Sequence, residues 1–160
     1  PELMYTVPTH YSLFGLNGRL AGVSLTHQSN GRDLPQSRSW NRVIGTVGLD
    51  SGDWTYLVRP WLRVREKADK DDNSDILDYV GRGELVVIRK LNNQQIAVTL
   101  RHTLRGGDRS RGSIAVDWAF PIQGYLKGHV QLFSGYGESL IDYNHRQNSI
   151  GVGLSLLEWL

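Results

Sequence analysis

Polar and apolar residues alternate with period 2 through nearly the whole chain, and a helical period of 3.6 is sustained nowhere. The pattern predicts strands. Across 19–29 one face reads Ala21, Val23, Leu25, His27 and Ser29, and across 40–49 the apolar face reads Val43, Val47 and Leu49, with Asn41 in phase. The alternation is plainest over 54–65. There Trp54, Tyr56, Val58, Pro60, Leu62 and Val64 lie on one side, and Thr55, Arg59, Trp61, Arg63 and Arg65 on the other. Leu77, Tyr79, Leu85 and Val87 continue the pattern, as do Ile96, Val98, Leu100 and Leu104, then Ile114, Val116, Trp118 and Phe120. Leu126, Val130 and Leu132 follow, and Ile150, Val152, Leu154 and Leu156 finish it. With a less regular segment near 3–16, this amounts to about eight strands. Pro60 sits inside one of them, where a ladder N–H would be lost.

The connections sharpen the expectation. Tight turns at 50–53, 91–94 and 121–124 alternate with longer loops near 28–39, 66–75, 106–112 and 134–147. Short and long strictly alternate, as in outer-membrane barrels with short periplasmic turns and longer extracellular loops, and a soluble sandwich has no reason to produce this. The predicted fold is an all-β, transmembrane antiparallel β-barrel, a single domain over 1–160. Trp40, Trp54, Tyr56, Tyr79, Trp118, Tyr125 and Trp159 lie near strand ends, where an aromatic girdle would sit, although sandwich packing also places aromatics there.

Composition agrees. Eighteen Gly, five Trp and seven Tyr beside a single Met suit a β-rich chain with many turns. The net charge of +2, with acids and bases interleaved, gives no nucleic-acid footprint. The chain has no Cys, which excludes a disulfide scaffold, a thiolate metal site and a Cys nucleophile. No apolar run reaches the length of a spanning helix, but a mean hydropathy of −0.36 does not exclude a barrel, whose strands give a weak hydropathy signal. With no signal peptide and no Met at its start, the chain is expected to be processed or truncated N-terminally.

The chemistry gathers around one hairpin. His27 and Ser29, two apart on a strand, project from the same face about 7 Å apart at the backbone. Imidazole Nε2 can take the Ser hydroxyl proton if a third group holds Nδ1, and the Asn41 amide oxygen, in phase across the loop, meets that need without supplying a charge. A chance His-x-Ser pair at a strand end is the plain alternative. Placement favours chemistry, because polar side chains on a lipid-facing row of Ala21, Val23, Leu25, Val43 and Val47 are costly unless functional. Arg59, Arg63, Arg65, Arg82, Glu84, Arg101 and Asp117 read most simply as an inward charged network. His10, His102, His129 and His145 lack metal spacing.

The stretch His27-Gln28-Ser29-Asn30-Gly31-Arg32, then Pro35 and Ser37-Arg38-Ser39-Trp40-Asn41-Arg42, resembles the signature of the outer-membrane phospholipase A family. Arg59-Pro60-Trp61 resembles a strand core of that family, Asp71 to Asp75 its acidic loop, and Ser134 to Asn144 its last extracellular loop. The resemblance implies a twelve-stranded barrel, of which this chain supplies about the last eight strands. It also implies calcium-dependent hydrolysis of acyl esters in phospholipids and lysophospholipids (A1/A2 activity), residence in the bacterial outer membrane, and activity as a homodimer. Carried over by position, Ser29 is the nucleophile, His27 the base and Asn41 the residue that orients it. A main-chain N–H near Gly31 faces the oxyanion. Main-chain carbonyls at Arg32 and Ser37 hold Ca2+, and Asp72 matches a carboxylate of a further calcium site. The chain departs from the family at Leu34, which stands where a second carboxylate is expected, with Asp33 one place earlier. The competing readings are non-enzymatic barrels: a passive pore, or a structural or adhesive protein using its loops.

Overall fold

The computed structural model describes residues 1–69 and 71–155. They form one antiparallel sheet of ten strands: β1 (Glu2–Pro8), β2 (Ser12–Leu13), β3 (Leu16–Ser29), β4 (Ser39–Ser51), β5 (Trp54–Val64), β6 (Gly83–Leu91), β7 (Gln94–His102), β8 (Gly112–Gln123), β9 (Leu126–Tyr136) and β10 (Arg146–Ser155). From β3 on, each strand pairs with the next, β1 lies on the outer side of β3, and two-residue β2 pairs with the start of β3. The sheet is open, with β1 and β10 at its edges. Among the described residues no helix is long and apolar enough to cross a membrane, which says nothing against crossing by strands.

Register shows why the alternation is so regular. Val58, Leu85, Leu100 and Ile114 lie opposite one another across β5 to β8. Val87, Val98, Val116, Leu132 and Ile150 form a second such row across β6 to β10. On β7 a one-residue slip either way would bring Thr99 into these rows, and in one direction Arg101 as well, so the apolar face helps to fix the register. The opposite face is polar and internally paired. Arg59, Glu84 and Arg101 are register neighbours on it, and Glu84 takes Arg59 at 2.9 Å and Arg101 at 3.0 Å. Farther along, Asp117 accepts from Gln131 at 2.7 Å and lies 3.5 Å from His129. The inward charged network expected from sequence is therefore present in part: Arg59, Glu84 and Arg101 are joined, Asp117 pairs separately with Gln131 and His129, and no bond joins Arg65 to them among the described residues. Arg63 and Arg82 instead serve the loops: Arg63 bonds Asp71 at 2.6 Å, and Arg82 bonds the Thr103 carbonyl at 2.8 Å.

Three expectations need correction. Leu77 and Tyr79 are not strand residues: Ile76–Asp78 is a 3-10 turn, and β6 starts only at Gly83. Ile76, Val80 and Tyr143 pack from the β5–β6 and β9–β10 loops against Trp40, Ile44 and Trp61 on the polar face, forming a buried plug at the long-loop end. That plug also removes Trp40, 1% exposed, and Tyr79 from any aromatic girdle. Trp54 stacked on Tyr56, and Trp118 against Phe120, do lie near the short turns. Trp159 and Leu156 lie outside the described residues. Leu104 has left the strand as well, turning at φ 56° after β7 ends at His102.

Pro60 now has an account. The β4–β5 pairing is interrupted between Ile44–Trp61 and Val47–Val58, so no ladder partner on β4 asks for an N–H at Pro60. Its neighbours there are Gly45 and Gly83, and a Cβ on Gly83 would come within 3.1 Å of the Pro60 Cα. The chain makes room for the ring by omitting side chains beside it.

In the β9–β10 loop, the Tyr143 hydroxyl donates to Asp75 of the β5–β6 loop. Burial, reinforced by that bond, pushes the phenol well above its ordinary range, so it remains a donor at any physiological pH. The ring of Tyr79 contacts Tyr143 at 5.8 Å and Tyr136 at 5.5 Å, with the Arg111 guanidinium 4.4 Å above it. The long loops are thus tied to one another over one end of the sheet.

Candidate active site

The long hairpin loop between β3 and β4 is organised by Asn30. Its N–H donates to the Arg38 carbonyl at 3.0 Å, and its Oδ1 accepts from the N–H of Arg38 at 3.0 Å and of Arg32 at 3.3 Å. Its Nδ2 donates to the Gln36 carbonyl at 2.7 Å. One amide side chain thereby replaces the ladder bonds that a loop cannot make. Gly31 follows at φ +66°, a left-handed conformation that a glycine adopts without penalty.

Below the loop, register brings the sequence candidates together. Ser29 lies opposite Ser39, and His27 opposite Asn41. The Nδ1 of His27 and Oδ1 of Asn41 are 2.9 Å apart. An amide oxygen can only accept, so Nδ1 carries the proton in this contact, and in the neutral tautomer Nε2 is the nitrogen with the lone pair. Ser29 and His27 share the face and are both exposed; no hydrogen bond joins their side chains among the described residues. Catalytic hydrogen bonds often tighten only when substrate is present.

The other face of the same strand ends is clamped. Gln28 Oε1 accepts from Trp40 Nε1 and from Arg42 Nη2, each at 3.1 Å. The Arg42 guanidinium lies 4.1 Å above the Trp40 ring, and Trp61 donates through Nε1 to the Gly81 carbonyl at 2.9 Å. Aromatic packing and charge-assisted bonds therefore immobilise the backbone that presents His27, Ser29 and Asn41.

Two residues arrive from the β5–β6 loop. Asp72 accepts from Ser37 Oγ at 2.5 Å and from the Ser39 N–H at 3.1 Å, so it stands against the β3–β4 hairpin instead of in a free acidic loop. Glu66, which sequence reasoning did not single out, accepts from Asn41 Nδ2 at 2.8 Å. A signal for it existed: Val64 pairs with Asn41, and Glu66, two residues on, keeps the same phase.

A hard cation would find oxygen here. Among the described residues no group of three or more His, Cys, Asp or Glu can hold a metal, so carboxylates alone do not make a site. Oxygen acceptors present on this hairpin include the Ser37 carbonyl, and the Asp72 carboxylate lies beside it through its bond to Ser37 Oγ, donor types that suit a hard cation such as calcium. The Ser37 carbonyl already attracts a cation, accepting from Arg38 Nη1 at 2.5 Å, and the same nitrogen bonds the Pro35 carbonyl at 3.0 Å.

Known proteins resemble the chain in both sequence and fold. A relative from Neisseria meningitidis serogroup B is 45% identical over 157 residues, covering 96% of this chain and 40% of its own length. The phospholipase A1 of Escherichia coli K12 is 35% identical over 156 residues, covering 98% of this chain and 52% of its own. The chain thus spans about half the length of the curated relatives it matches. Among solved structures, the outer membrane phospholipase A of Escherichia coli superposes with a TM-score of 0.87 at 33% identity, over 96% of this chain and 57% of that one. A Salmonella typhi outer membrane phospholipase, described as a dimer with bound calcium, matches with the same TM-score and identity, over 96% of this chain and 58% of that one. With residues 1–156 also matching the Phospholipase A1 family, a ten-stranded sheet superposing on its outer-membrane members, and the hairpin signature folded into one hydrogen-bonded site, the chain belongs to the phospholipase A1 family.

Proposed function

We propose that the protein acts as a calcium-dependent phospholipase of the bacterial outer membrane, hydrolysing acyl esters of phospholipids and lysophospholipids through Ser29, His27 and Asn41. On this reading its sheet belongs to a single transmembrane β-barrel domain. The observation that carries the proposal is the bond of 2.9 Å from His27 to Asn41 beside Ser29, on the face that otherwise holds Val23, Leu25, Val43 and Val47. A polar triad within an apolar row is suited to a substrate that is itself a lipid.

The geometry supports ordinary acyl transfer. Asn41 holds Nδ1–H, Nε2 takes the Ser29 proton, and Oγ attacks the ester carbonyl carbon. We assign the oxyanion contact to a main-chain N–H near Gly31, as the family resemblance implies. Protonated His27 then gives its proton to the departing glycerol oxygen. Water, with His27 again as base, releases the fatty acid from Ser29. Calcium, when bound, would be held by the main-chain carbonyls of Arg32 and Ser37, with Asp72 at a further ion, and would supply positive charge that favours the oxyanion.

The exposed setting of Ser29 and His27 also supports a homodimer, since one wall cannot enclose an acyl chain and a second copy against that face completes a cleft. The whole protein in phospholipid micelles should release fatty acid, with a rate per molecule that rises with its density in the micelle. Conductance in a planar bilayer without ester hydrolysis would favour the pore, and neither activity would favour a structural or adhesive barrel. Spin labels at Val23, Leu25, Val47, Val58, Leu100, Val130 and Val152 should report a lipid-soluble relaxant. Labels reporting water at these sites would overturn the membrane reading.

A further inference from the structure

We infer that Glu66 is a positioning residue of this site, acting on His27 through Asn41, an inference that rests on the Ser29, His27, Asn41 reading. An amide can present either end to its neighbour, and nothing in Asn41 alone decides which. With Nδ2 toward the imidazole, Nδ1 would have to accept, the ring proton would sit on Nε2, and the base could not take the Ser29 proton. A carboxylate only accepts. Glu66 at 2.8 Å from Nδ2 therefore fixes the amide with Oδ1 toward His27, and so fixes the tautomer that makes Nε2 a base.

The carboxylate has a second effect. Its charge polarises the amide, raises electron density on Oδ1 and steadies the imidazolium that forms during attack. The triad is neutral by sequence; the folded chain places an anion one bond behind it. Among the described residues no ion pair within 4 Å joins Glu66 to a cation, although Arg65 and Lys67 flank it in the chain. Of the charged residues on the adjoining strands, Arg42 and Glu2 engage Gln28 and Arg59 on the opposite face, and Arg19 and Asp50 pair with each other at the far end of β3 and β4. Arg63 on β5 engages Asp71 there. Val64, the other neighbour of Asn41 in its row, offers no acceptor.

The test is a double-mutant cycle on the whole protein in phospholipid micelles with calcium, reading kcat and KM. Glu66→Ala should lower kcat by about tenfold with KM within about twofold, because substrate contacts are untouched. Glu66→Gln, which keeps an acceptor oxygen and loses the charge, should recover part of that loss. In the Asn41→Ala background, Glu66→Ala should change kcat by less than about twofold, since the amide through which it acts is gone. Wild-type kcat in Glu66→Ala overturns the inference, as does a full additional loss in the Asn41→Ala background, which is also what general misfolding would give. Full activity of Ser29→Ala overturns the underlying reading, and this inference with it. Loss in Ser29→Ala and Asn41→Ala, with Glu66→Ala unaffected, overturns the inference alone.

Discussion

Replacing Ser29 by Ala in the whole protein is expected to lower kcat by at least about 10⁴-fold, the scale on which removal of a nucleophile disables a site whose members act as a unit. The expectation follows from position. Ser29 is the last residue of β3, paired with Ser39, and its side chain is exposed; losing one oxygen removes no packing and no bond among the described residues. The sheet, the Asn30 loop staple and the Asp72 clamp all remain, so folding into micelles should be unchanged by circular dichroism. Asn41→Ala should behave differently. Base and nucleophile survive, the imidazole loses its tether at Nδ1, and Glu66 loses its partner, so kcat should fall by about 10²-fold and stop there. The order of the two losses is the diagnostic. Equal loss in both variants would mean that Asn41 is needed to hold the hairpin, and an active Ser29→Ala would remove the nucleophile from the mechanism.

Legibility from sequence divides by range. Period 2 was enough to read the strands because the apolar rows are unforgiving: Val87, Val98, Val116, Leu132 and Ile150 must align, and each strand carries that demand in its own residues. The His27–Asn41 contact was legible for a related reason, since an apolar phase running through both strands fixes which residues face each other across the loop. Leu77 and Tyr79 misled for the opposite reason. They are apolar, two apart and followed by a genuine strand, yet they serve a plug packed on Trp40, Trp61 and Tyr143, and nothing local distinguishes a plug from a strand. Asp72 reaches Ser37 from a loop 35 residues away, so its place beside the hairpin required the loop's path over the sheet. Glu66 lies between these cases. Its phase was readable from Val64, but its bond to Asn41 is made just beyond the strand's end, where alternation no longer binds the chain.

Chelating calcium should reduce hydrolysis by the whole protein by about 10²-fold to 10³-fold, the scale on which loss of a principal oxyanion stabiliser is felt. The reason lies in how the local cations are used. Arg32 bonds Gln36 Oε1 at 2.8 Å, and Arg38 is drawn to the Pro35 and Ser37 carbonyls. Both guanidinia are engaged within the loop, and a single main-chain N–H near Gly31, the donor proposed for the oxyanion, would be a weak counterpart for a full negative charge. On the proposed reading the site has a base and a nucleophile of its own but little positive charge. Carbonyls at Arg32 and Ser37 suit an ion that takes six to eight oxygens in irregular geometry, which magnesium, with its near-ideal octahedron and tightly held waters, accepts poorly. Activity lost to chelator should return on adding calcium and should not return on adding magnesium at the same concentration. Calorimetry on Ser29→Ala supplies the second readout: the inactive protein should bind calcium as the wild type does, because Ser29 is no part of that oxygen set. Full activity in chelator would take the metal out of the mechanism. Recovery with magnesium would keep a divalent ion in it while removing the argument from ligand geometry.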